Sequence, residues 1–253
     1  MNGKPKNDSI IRQWEALAKA CHDGESQTRL AMLLHHINRL PVRQAASAYA
    51  EIETAYFLAQ AGFSIAFLEA TGRRTADLEC YEGTHRFFVE VTVIQSTQGS
   101  TPQSMGGRLQ PHQSLESSDE FFEQALVKRL LSRMAEKARQ LERYCAPVML
   151  AVSVPDLPWG KGSLQNIPPL NLQRLAAMLV GVLVEVPQFS AVLITLWKAP
   201  AQESRNPIRI RQVSWVTRPP GDSQDPRIRL LATNPVARYR LTPRELRIVQ
   251  DAM

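Results

Sequence analysis

Cysteine is scarce and scattered in this 253-residue chain. Cys21, Cys80 and Cys145 form no CxxC pair and have no histidine at ligand spacing, which excludes a disulfide scaffold and a zinc finger or ribbon. A reducing compartment, the cytoplasm, is the expected location. Long hydrophobic runs are also missing: the longest, Leu175 to Val186, is too short to cross a bilayer, and the opening MNGKPKNDSI has no apolar signal segment. No membrane partner is expected. Nucleotide-binding loops are absent too, since Gly160-Lys161-Gly162 lacks the Walker spacing, and there is no Gly-x-Ser-x-Gly nucleophile elbow.

What is present is ordinary globular composition, 44% hydrophobic and 21% charged, enough for one sizeable core or two small ones. The net charge of +6 is unevenly placed: residues 201–253 hold ten arginines, no lysine and five acidic residues. A polyanionic partner, nucleic acid, fits that bias.

Apolar spacing predicts a helical hairpin over 8–40, a helix from Arg43 to Ala61 stopped by Gly62, and a short strand from Phe63 to Leu68. Two further strands, Ala76–Tyr81 and Arg86–Ile94, flank a tight turn at Gly83-Thr84. Gln95 to Ser118 is polar and long enough to read as a lid. An amphipathic helix (Asp119–Tyr144), an apolar strand (Pro147–Val154), an apolar helix (Leu170–Glu185) and a buried strand (Phe189–Trp197) follow. Beyond them come strand-like stretches at Ile208–Thr217 and Arg227–Ala232, and a helix from Pro243 with Thr242 and Glu245 as a capping box. The expected organisation is a helical cap (1–42), an α/β core with a mixed sheet flanked by helices (43–200), and an Arg-rich β/α extension packed on the core (201–253).

Alternation puts Phe88, Glu90 and Thr92 on one face of the third strand, and closing the hairpin at Gly83-Thr84 sets Asp77 opposite Glu90. Two carboxylates at about 5 Å repel, so the pair calls for solvent, a raised pKa or a bound cation. Mg²⁺ takes one or two carboxylates with waters and substrate phosphate, which such a hairpin offers. A solvated acidic hairpin is the alternative.

The order Glu51-Ile52-x-x-Ala55-x-x-Leu58, Gly62, a strand, Thr75-Ala76-Asp77, and Glu90-Val91-Thr92 resembles the PD-(D/E)xK nuclease superfamily, with its restriction-endonuclease-like fold, over Gln44 to Trp197. In that resemblance Glu51, Asp77 and Glu90 match the acidic residues of the first helix, second strand and third strand. Ala76 stands where the motif has proline, and Thr92 where it has lysine. Some members take the lysine from the following helix, where Lys137 lies in the stripe Leu130, Met134, Lys137, Leu141, and Gln140 completes a Lys-x-x-Gln pattern. Lys137 there either snorkels to solvent or points at the carboxylates.

The resemblance implies a Mg²⁺- or Mn²⁺-dependent endonuclease acting on DNA: Asp77, Glu90 and Glu51 as metal ligands, Lys137 and Gln140 as further catalytic residues. Alternating arginines at Arg209, Arg211, Arg227 and Arg229 suit a phosphate-tracking face, or a solvated sheet face. Glu53, about 200° around the helix from Glu51, reads as a surface charge, and Glu79 as an auxiliary ligand at most. Alternatives to the enzyme are an inactive nuclease-fold binding module, or an interaction protein meeting a second copy or a protein partner through its N-terminal helices.

Overall fold

Side-chain caps fix where two of the helices start. The Asp23 carboxylate accepts the Ser26 N–H at 2.7 Å and opens one helix, while Thr242 and Glu245 complete a reciprocal capping box at another. The structure is a computed structural model that describes residues 4–68, 76–95, 117–155, 172–197, 208–210, 213–217 and 227–253, with the backbone alone at 4–8, 117–125, 208–210, 213–217 and 227. Of the polar stretch Gln95 to Ser118 expected as a lid, residues 96–116 lie outside the described residues, as do Arg211 and Gly160-Lys161-Gly162.

In chain order the elements are α1 (Lys4–Ala20), α2 (Gly24–Arg39), α3 (Ala46–Ala61), β1 (Ser64–Phe67), β2 (Leu78–Glu82), β3 (His85–Val93), α4 (Ser117–Gln140), β4 (Val148–Val154), α5 (Leu172–Leu183), β5 (Ala191–Trp197), β6 (Ile208–Ile210), β7 (Val213–Thr217), β8 (Arg227–Thr233) and α6 (Pro243–Ala252). Helix α3 begins three residues later than its apolar pattern suggests, because the N–H groups of Gln44 and Ala45 fold back onto the Pro41 carbonyl. It ends at Gly62, whose φ of 106° is the left-handed conformation that glycine adopts without a Cβ penalty. Helix α4 stops at Gln140 rather than Tyr144, which sits in a turn onto Leu141. The stretch 208–217 is not one strand but two, paired antiparallel with Ile210 opposite Val213.

Among the described residues the strands form one mixed α/β sheet in the order β1-β2-β3-β4-β5-β8-β7-β6. β1, β2 and β3 are an antiparallel meander, β3, β4 and β5 run parallel, and β8 returns antiparallel to β5. Strand alternation divides the apolar side chains between two cores. On one face Leu150, Val152, Ile194 and Leu230 pack beneath α4 and α5. On the other, Met149, Ala151, Leu193 and Leu231 pack beneath α3, joined by Ile10 of α1, Leu33 of α2 and Val249 of α6. The result is three layers, helices on either side of a sheet.

Candidate active site

Glu90 is a carboxylate set among valines. Its neighbours Val89 and Val91 face the α3 side, so Glu90 faces α4, where it is buried at 3% exposure. Lys137 lies one turn beyond the buried Met134 on α4, and its ammonium pairs with Glu90 Oε1. Of the two positions open to this lysine from its spacing, the structure has the one turned toward the carboxylates. Glu90 Oε2 is buried with no hydrogen-bond partner. Burial, reinforced by the negative charge of Asp77, pushes Glu90 up to about 7 against the pull of Lys137.

Asp77 departs from the simplest hairpin geometry. The register runs from Glu82 opposite His85 to Leu78 opposite Val89, and one more step would set Asp77 against Glu90. Instead the Asp77 N–H donates to the Val89 carbonyl at 3.0 Å, and its Oδ2 accepts the Val91 N–H at 2.7 Å. The carboxylate therefore caps the strand's own edge, and Oδ1 remains for other partners. Burial raises its pKa, opposed by the Val91 hydrogen bond and by Arg29 and Lys137. The backbone just before it is fixed by the Ala76 N–H, which donates to the Tyr144 hydroxyl at 2.7 Å, while the Tyr144 ring stacks edge-on against Phe88 with centroids 4.7 Å apart.

Glu51 arrives from the opposite layer. It lies on the sheet-facing side of α3 with Ile52, Ala55 and Leu58, and is 4% exposed. Both of its oxygens are taken by Arg29 of α2, whose Nε donates to Oε1 at 2.9 Å and whose Nη2 donates to Oε2 at 2.8 Å. The same Nη2 lies 3.8 Å from Asp77 Oδ1. Burial pushes Glu51 up to about 7, with Arg29 pulling the other way. Such a bidentate pair is strongly coupled to the fold, because removing one partner of a buried ion pair costs about 3–5 kcal/mol.

Thus Glu51, Asp77, Glu90 and Lys137 gather around the start of β2 and the middle of β3, each carboxylate sensing the charge of a neighbour. Gln140 is half-buried at the end of α4 and makes no hydrogen bond to these carboxylates among the described residues. Glu79 turns outward to Arg86, 3.3 Å away. Glu53 is half-buried rather than a fully solvated charge, because it lines an open groove with Thr54, Phe57, Ser153, Trp197 and Arg229. There the Arg229 guanidinium lies 4.1 Å from the centre of the Phe57 ring. The strand registers place the backbone positions of Arg209, Arg227 and Arg229 on the same sheet face as Leu231.

Two contributors carry no local sequence signal, Arg29 and Tyr144. Arg29 follows Ser26 by three residues, so both lie on one side of α2, and the Ser26 hydroxyl accepts the Phe67 N–H at 2.8 Å, seating that side on β1. Among the described residues, no group of three or more His, Cys, Asp or Glu is close enough together to hold a metal ion. No helix among them is long and apolar enough to cross a membrane. Comparison with protein-family models, with curated proteins and with solved structures finds no match to this chain.

Proposed function

We propose that this chain is a metal-dependent nuclease that hydrolyses phosphodiester bonds in DNA, with Asp77, Glu90 and Lys137 at its centre. The observation that carries the reading is the buried, unpartnered Glu90 Oε2 beside Asp77 and opposite a lysine drawn from another element. A buried carboxylate oxygen without a hydrogen-bond donor is costly unless a cation completes it. The donor set fits a hard divalent ion with two protein carboxylates, Glu90 through Oε2 and Asp77 through Oδ1, the remaining positions being left to water and phosphate. Mg²⁺ or Mn²⁺ held there supplies a more acidic water and screens phosphate charge. Glu51, with both oxygens on Arg29, contributes through water or after that pair opens.

The protein's own groups do the positioning. Lys137, at 20% exposure, reaches solvent as well as Glu90 and is placed to orient a water or to donate to charge developing on the phosphoryl oxygens. Asp77, at 23% exposure, is the carboxylate most open to a substrate. The helix, three-strand meander, helix and parallel strand follow the order in which the nuclease resemblance places its acidic residues. The arginine positions on β6 and β8 lie on the α3 face of the sheet, opposite to the face that Glu90 occupies, and would hold the phosphate backbone away from the reacting centre.

A second reading, a binding module without turnover, is favoured by one feature: Arg29 and Lys137 already neutralise two of the three carboxylates. Glu90→Gln separates the two. Calorimetric titration with Mn²⁺ should show binding to the native protein and none to the variant, and plasmid cleavage should be lost with it. Salt-sensitive DNA binding without metal binding or cleavage would instead establish the binding module.

A further inference from the structure

Resting on the nuclease reading, we infer that Arg29, held in place on helix α2, is a resident counter-cation that competes with a divalent metal for Glu51 and Asp77.

The guanidinium fork occupies both Glu51 oxygens, at 2.9 and 2.8 Å, while its Nη2 stands 3.8 Å from Asp77 Oδ1. It therefore lies between the two carboxylates. A permanent cation and a divalent ion at that range repel, and the fork leaves Glu51 no oxygen free for inner-sphere ligation without rotating away. Asp77 already spends Oδ2 on the Val91 N–H, so Oδ1 is the oxygen for which the two cations contend.

Arg29 does not belong to the helix that carries Glu51. Its position is set by contacts of the N-terminal helices: the Ser26 hydroxyl on the Phe67 N–H at 2.8 Å, and the Trp14 indole N–H on the Leu30 carbonyl at 2.9 Å. Glu51 is open to a metal only when the arginine turns away from it. The unpartnered Glu90 Oε2 is independent of Arg29 and remains the anchor for metal in either state.

The test is calorimetric titration of Mn²⁺ and Mg²⁺ into the full-length native protein, Arg29→Gln and Arg29→Lys, with melting curves in EDTA and in Mn²⁺. Arg29→Gln should bind Mn²⁺ about tenfold more tightly than the native protein, equivalent to removing one competing charge. Arg29→Lys, a point charge without the fork, should fall between them. In EDTA Arg29→Gln should melt at lower temperature, and Mn²⁺ should recover more of that loss than it adds to the native protein. A role confined to folding predicts the low melting temperature with unchanged or weaker metal affinity, and that result overturns the inference while leaving the nuclease reading in place. If Arg29→Gln does not fold in EDTA, an Arg29→Lys affinity equal to the native one overturns it. Absence of metal binding by all three proteins overturns this inference and the nuclease reading together.

Discussion

Lys137, on the helix above the sheet, closes on Glu90, on the strand below, so that a lysine from outside the acidic hairpin meets the carboxylate that the hairpin buries. The pair joins two elements that no local pattern connects, and it makes a distinct demand of each partner.

Lys137→Met removes the ammonium while keeping the length and apolar stem that pack beside Met134. Metal binding should persist through Glu90 and Asp77, and DNA cleavage should fall by roughly 10²-fold or more if the lysine acts on the transition state. Native-rate cleavage by the variant removes Lys137 from the chemistry. Because the metal-free variant then has no cation paired with Glu90, in EDTA it should also lose more stability at pH 8 than at pH 5.

The acidic cluster sets the sign of the native protein's own pH dependence. Glu51 and Glu90 are raised from about 4.5 to about 7, and Asp77 is raised as well, all chiefly by burial. Between pH 4.5 and 7 the folded state therefore holds more protons than the unfolded one, and these groups make stability fall as pH rises through that window. Melting in EDTA should show this fall, and Glu90→Gln, which cannot ionise, should show a shallower one. Saturating Mg²⁺ should offset it, since the metal requires the deprotonated carboxylates. A variant slope equal to the native slope would sink the assignment of Glu90 as a titrating member.

The C-terminal arginines test the nucleic-acid face. Replacing Arg209, Arg211, Arg227 and Arg229 together with Ala should weaken DNA binding and reduce the slope of log K against log salt by up to about 0.9 for each phosphate that is no longer neutralised. Arg229→Ala alone also removes the cation from the Phe57 ring, so its effect on melting temperature should exceed its effect on the salt slope. Fluorescence anisotropy across a salt series, with melting curves beside it, measures both effects, and an unchanged slope for the fourfold variant returns these arginines to a solvated sheet face.

Much of this architecture is legible in the sequence, for reasons of period and chemistry. Glycine at 83 sets a two-residue turn, and with it the pairing of Leu78 with Val89. Glu90 stands out because a strand of valines has no use for a carboxylate, and Lys137 because an apolar stripe has none for an ammonium. Arg29 is silent in sequence: its partner lies 22 positions away on a different helix, and an arginine beside buried leucines is also what an ordinary amphipathic helix contains. Asp77 shows a different limit. Pairing arithmetic alone faces it to Glu90, but at the strand's end its backbone bonds to Val89 and its side chain satisfies Val91. Strand order is likewise invisible locally, since no periodicity in Arg227–Thr233 says that it will lie against β5 ahead of β7.

That insertion has a consequence for biosynthesis. The outer edge of β5 is satisfied by β8, the last of the described strands in chain order, while β6 and β7 reach the sheet only through β8. A nascent chain therefore carries the apolar stretch Ala191–Trp197 with one row of amides and carbonyls open until Arg227–Thr233 has emerged, and a chain arrested in that interval is a template for pairing with a neighbour.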